Sequence, residues 1–283
     1  MAGSGKGRGL TRGSVRFIDI DDTEYGIKQI DSKPRVINTP YFVEIAKDNV
    51  ADHVSYNKFG QNLAVPATLE DVWDGSAVYE YLADDTFATM YISSDNNGDA
   101  GDIWEVQGID SDYNYSTVEV ITNGFAFVAL TSGATDNKWW RVFRALNKSA
   151  VVSLGNIYIS KDNTDTSGGA NGIPDNTDDI QAKILVGNEQ TFMSLFTVPG
   201  GFTAYVTRFY ASTSSNKITD VRLFVRPFGG VFNVKAPISI NQGRSEHPYD
   251  FPLPATAKSD ITIRASAVGA GGIVSAGFDL WYE

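Results

Sequence analysis

Apolar and polar positions alternate over short distances along most of this chain, and turn-forming clusters interrupt them before a helical period can develop. Ala77–Tyr81, Phe87–Ile92, Asp102–Val106, Ser116–Ile121, Phe125–Leu130 and Trp140–Leu146 are rich in β-branched and aromatic residues, which predicts strands. Asn97-Gly98 and Asn123-Gly124 are turn signals between them. Further strands are predicted at Ala182–Val186, Thr191–Thr197, Thr203–Ser212, Asp220–Pro227, Val231–Ile240, Asp260–Ala267 and Gly277–Tyr282. Asp260 to Ala265 alternates cleanly, the pattern of a sheet with one wet face. Regularly spaced short strands of this kind argue for a sandwich or barrel. Helical patterning is nearly absent. Thr68–Trp73 predicts at most a single turn, capped by Thr68.

The organisation changes along the chain. Residues 1 to about 13 form a Gly-rich basic tip, and Pro34 and Pro40 frame an extended segment. Residues 1–60 therefore read as an arm, 61–160 as a first β domain, 161–179 as a polar linker and 180–283 as a second β domain. The expected fold is all-β, with an extended N-terminal arm followed by two β-sandwich or jelly-roll-like domains. Met90–Asn96 and Ile157–Asn163 echo each other, as two similar strands that end in Asx turns would without duplication.

Composition adds a charge asymmetry. The 283 residues are 42% hydrophobic and 20% charged, a globular balance, with a net charge of −11. Lys6, Arg8, Arg12 and Arg16 give the first sixteen residues +4 with no acid, leaving −15 for the rest. A body that acidic repels nucleic acid, so no specific nucleic-acid partner is expected. The basic tip suits an acidic partner surface or packaged DNA, or is simply solvated. There is no cysteine, which excludes disulfides and thiolate chemistry. No long apolar run predicts a membrane helix, and Met1–Gly5 lacks the core of a signal peptide, so the chain is expected to stay in the cytoplasm where it is made.

Candidate chemistry is sparse. The two histidines, His53 and His247, lie in different halves and no Gly-x-Ser-x-Gly elbow accompanies them, so a serine relay is not expected. Asp71, Asp74, Asp84 and Asp85, or Asp110 and Asp112, could form a glycosidase pair by proximity in sequence. The plainer reading is that Asp71 and Asp74 accept backbone N–H groups at a turn while Trp73 is a buried packing anchor. Asp95, Asn97 and Asp99 have the oxygen density of a calcium loop, as do Asp162, Asn163 and Asp165. Yet Glu105 comes one residue early for the distal bidentate ligand, and a plain hairpin tip fits as well. Phe125 and Phe127 would share a core-facing side of a strand. Trp139 and Trp140 would point oppositely, so at least one would meet a second sheet, a neighbour, a glycan or solvent. Tyr113 and Tyr115 extend that possible platform. Gly269–Gly272 lacks the Lys-Ser or Lys-Thr of a phosphate cradle.

Three segments carry a resemblance: NKFGQN at residues 57–62 with EDVWDGSAVY at 70–79, QTFMSLFTVPGGFTAYVTRFYAS at 190–212, and RLFVRPFGGVFNVK at 222–235. Their order and content resemble a family of virion structural proteins of marine tailed bacteriophages, from about Tyr41 to the C-terminus. The resemblance implies a non-enzymatic virion component, assembled in the host cytoplasm, with other virion proteins as partners. The expected role is a capsid decoration or cement protein, homotrimeric, that contacts the major capsid protein through the arm and Lys6, Arg8, Arg12 and Arg16. The alternative is a glycan-binding host-recognition module of a tail or head fibre, using the loops at 95–102 and 162–179. A polysaccharide-degrading enzyme ranks last.

Overall fold

The computed structural model describes residues 29–30, 33–34, 40–166, 170–269 and 271–283, in two units, Met1–Glu44 and Ile45–Glu283. In the first unit, β1 (Gln29–Ile30) and β2 (Lys33–Pro34) pair antiparallel. Helix α1 (Tyr41–Ala46) spans the division. Its start follows from Pro40, whose carbonyl accepts the Val43 N–H at 2.9 Å. The extended lead-in expected over this stretch is therefore broken by one short helix.

The second unit is all-β, of sandwich type. Its largest sheet has seven strands. In hydrogen-bonding order these run β12 (Leu195–Thr197), β15 (Asp260–Ala267), β13 (Ala204–Arg226), β16 (Gly272–Tyr282) and β3 (Val54–Val65). β14 (Asn233–Ala255) pairs along β13, and β4 (Glu70–Asp71) continues the edge of β15. Two smaller sheets complete the unit. One is ordered β11 (Ile180–Ile184), β10 (Ile157–Ser160), β5 (Tyr91–Ser94), β8 (Val128–Ala129). The other is β7 (Tyr115–Ile121), β6 (Ile103–Asp110), β9 (Trp139–Asn147).

Several expected boundaries move. The runs expected at Thr203–Ser212 and Asp220–Pro227 belong to one strand, β13, which bends at an irregularity between Thr213 and Ile218. Its first half pairs with β16 and its second half with β15, so one strand serves two neighbours in succession. Within Thr68–Trp73, Glu70 and Asp71 form β4 rather than a helical turn, because they pair with Ala265 and Arg264. Ala77–Tyr81 is not a strand, and the run at Phe125–Leu130 shrinks to β8. The two echoing segments are neighbours: β5 and β10 pair antiparallel, Ile92 opposite Ile159.

The expected division at 161–179 lies inside the second unit. β10 and β11, one on each side of it, are adjacent strands, and β3 and β4 from the first half join the sheet built by the second. One contiguous core runs through both halves. Rings tie the layers: Phe196 of β12 lies 5.1 Å from Phe143 of β9 and 4.9 Å from Tyr56 of β3. Close approach also needs Gly60, where a Cβ would sit 2.2 Å from the Val72 carbonyl oxygen.

Candidate functional site

The carboxylates that cluster in sequence are dispersed among structural tasks. Asp71 is fully buried and accepts from Thr262 Oγ1 at 2.6 Å, Arg264 Nε at 3.2 Å and the Tyr79 N–H at 2.9 Å. Asp84 accepts the Gly229 N–H at 2.8 Å, anchoring the turn between β13 and β14. Asp85 accepts from the Tyr113 hydroxyl. Asp110 closes the β6–β7 turn by accepting the N–H groups of Asp112 and Asn114.

Asp74 is the exception. It is buried, Oδ2 accepts from Asn188 Nδ2 at 3.3 Å, and Oδ1 has no hydrogen-bond donor. Burial raises its pKa from 3.8 to about 6. Because the folded pKa lies above the unfolded one, the folded state holds the extra proton between these values, and stability falls as pH rises from about 4 to 6. Asp74→Asn is expected to stabilise the fold by about 1–3 kcal/mol at pH 8. At about pH 4 the variant and parent should unfold at the same denaturant concentration. Urea titrations at the two pH values check this.

The predicted calcium loop is closed by protein donors. Asp95 accepts from the Asn156 N–H and Nδ2 at 2.7 Å each and from the Tyr158 hydroxyl. Asp99 is buried and accepts from Ser94 Oγ and the N–H groups of Leu154 and Gly155. Asn97 opens a short 3-10 turn whose preceding residue, Asn96, caps it. Asp95 and Asp99 thus fasten the 95–102 loop to the 154–156 segment and do not converge on an ion with Asn97. In the second acidic loop Asp162 accepts the Thr164 and Asn176 N–H groups, and Asp165 accepts those of Asn171 and Gly172. Among the described residues no group of three His, Cys, Asp or Glu side chains is placed to hold a metal.

The aromatic platform is also rearranged. Trp139 and Trp140 are both fully buried, because both faces of β9 are covered. They present no surface to a sugar or a neighbour. Tyr115 packs in the core against Tyr56 and Phe143, and Tyr113 sits between Phe87, Trp140 and Phe228 with Lys258 Nζ above its ring. Phe125 and Phe127 are only half-buried, since the turn at Asn123-Gly124 replaces most of the expected strand. Trp73 is 4% exposed, donates Nε1–H to the Ala77 carbonyl at 2.8 Å and packs edge-on to Tyr79. His53 meets the Ala51 carbonyl and Glu283, while His247 meets the Tyr249 ring edge to face. Lys6, Arg8, Arg12 and Arg16 lie outside the described residues.

Two arrangements escaped the sequence reading. The first is an ion cluster: Asp260 is buried and accepts from Arg141 Nε at 3.0 Å, Arg226 Nε at 2.9 Å and Thr197 Oγ1 at 2.5 Å. It joins β9, β12, β13 and β15, and nothing in the spacing of these residues announces it. The second is a groove of 360 Å³ across β3, β13, β14 and β16. Phe59, Phe192 and Tyr210 line it, each half-buried, with Gln61, Arg208, Arg244 and Glu246 around them. Phe59 and Phe192 meet edge to face at 5.5 Å. Arg208 is bound to Asp279 through Nε at 2.9 Å, and Arg244 stands 4.0 Å from Glu246. The sequence carries only a run of polar residues around Arg244 and Glu246 along β14.

No family model matches the chain, and no curated protein does. Among solved structures, it is similar to one described as the structure of infectious bursal disease virus Gt strain, with 14% identity over 86% of this chain and 78% of that one, at a TM-score of 0.21. The Gx strain structure gives 10% identity over 82% and 76% at a TM-score of 0.20. The VP2 subviral particle of the same virus gives 10% identity over 82% and 76% at 0.19. At these TM-scores the likeness carries no argument about this chain's role.

Proposed function

We propose that the chain is a non-enzymatic structural component of a tailed-phage virion: a decoration or cement protein, homotrimeric, that grips the capsid through its N-terminal segment. The observation that carries the reading is the segregation of charge along the sequence. The first sixteen residues hold four cations and no acid, and the rest of the chain, which includes the compact β unit of Ile45–Glu283, carries the acidic excess. A cationic terminal segment on an otherwise acidic β protein suits attachment to an acidic surface. The segments resembling phage virion proteins support the same reading, since several of their large residues are packing groups. Val72, Trp73 and Tyr79 in one, and Met193, Leu195, Phe196 and Val198 in another, are all buried. The buried ion pair of Asp71 with Arg264 and the turn bonds of Asp84 and Asp110 give these candidate carboxylates structural tasks, which lends further support.

Deleting residues 1–40 tests this. The truncated protein should keep its β-type circular dichroism and solubility but no longer cosediment with capsids. Full-affinity decoration by the truncated protein would place attachment elsewhere. One observation favours a second reading, host recognition through glycans: the aromatic-lined groove on the large sheet.

A further inference from the structure

The groove between β3 and β14 combines half-buried aromatic rings with hydrogen-bonding groups that are not all consumed by the fold. We infer that it binds a neutral pyranose unit of a polysaccharide, an inference that rests on the second reading above and gives it a site.

Four features lead there. The half-buried rings of Phe59, Phe192 and Tyr210 offer apolar faces of the kind that cover the C–H faces of a sugar ring. Arg244 and Glu246 are two residues apart on one strand, so they stand on the same face of β14. Both are exposed, at 83% and 50% of their side-chain surface, and their charged ends are 4.0 Å apart. A planar donor fork beside an acceptor matches neighbouring hydroxyls, one accepting and one donating. The formal charges cancel, Arg208 with Asp279 and Arg244 with Glu246, and the −15 excess of the chain beyond residue 16 disfavours an anionic polymer. Finally, the strands that form the floor are hydrogen-bonded neighbours, so binding requires little reordering. Its 360 Å³ lies within the roughly 300–1,000 Å³ usual for small-molecule sites.

A second copy of the chain is the competing occupant, since Phe251 on the same strand is 89% exposed. The polar lining argues against it: a phenyl ring would leave Arg244, Glu246 and Gln61 without new partners while displacing their water.

The test uses the full-length chain in titration calorimetry with laminari-, cello- and galacto-oligosaccharides, with oligogalacturonate as the charged control, alongside an immobilised array of neutral glycans. The expected result is binding of at least one neutral glycan, weakened about tenfold or more in Arg244→Ala/Glu246→Ala. Those side chains are exposed, so unchanged thermal unfolding of the variant separates lost binding from lost fold. Binding that the double variant retains would overturn the groove while leaving glycan recognition standing. No binding to any neutral glycan would overturn both. A preference for oligogalacturonate would overturn the neutral-ligand assignment. So would a concentration-dependent mass abolished by the same substitutions without any sugar binding, which would give the groove to a second copy.

Discussion

Asp260→Ala is expected to destabilise the fold by about 3–5 kcal/mol, because it leaves two guanidinium groups in the interior without their shared carboxylate. Arg141 is 2% exposed and Arg226 16%, and both bond to Asp260 through Nε and Nη2. Arg141 keeps the Trp140 carbonyl and the Tyr81 and Trp140 ring faces, and Arg226 keeps Asp84. Those contacts offset only part of the loss. Thr197 also loses the acceptor of its hydroxyl, at 2.5 Å. Denaturant unfolding of the variant beside the parent measures the effect. The triple variant Arg141→Met/Arg226→Met/Asp260→Leu removes the charges together and should recover most of the stability, since an apolar replacement of a buried ion cluster is often neutral or better. A single variant that unfolds at the parent's midpoint would mean that water reaches the cluster.

Trp73→Ala is the second large effect, also expected at about 3–5 kcal/mol for emptying a large buried aromatic site. The indole does three things at once. It fills the space against Tyr79 at 5.3 Å, pins the loop through its bond to the Ala77 carbonyl, and lies so close to Gly75 that a Cβ there would come within 2.1 Å of the ring. Its backbone bridges Met193, so the loop carrying it is registered against the chain leading into β12. A ligand platform would behave oppositely: its loss would leave the unfolding midpoint and slope unchanged. Trp73→Phe should recover much of the packing while losing the bond to Ala77, which separates the two contributions.

The sequence by itself determined the fold class, because period-2 alternation and turn residues are local and allow little else. Asp260–Ala267 forms a strand over the very residues whose alternation predicts one. What it could not determine was which strands are neighbours. The polar stretch at 161–179 has the composition of a linker, but composition does not reveal that Asp162, Asp165 and Asp175 bind its own backbone or that β10 and β11 pair across it. β9 forms where Trp140–Leu146 predicts a strand, and the oppositely pointing Trp139 and Trp140 are both inside because both faces of that strand are covered. Which surface each ring would meet was the part the sequence left open. The calcium-like spacing of Asp95 and Asp99 was legible as oxygen density. Whether those oxygens meet a metal or an N–H depends on Asn156, Leu154 and Gly155, far along the chain. The groove and the Asp260 cluster belong to tertiary structure, because the groove gathers residues of strands far apart in sequence that pair in one sheet, and the cluster adds Arg141 from a second sheet.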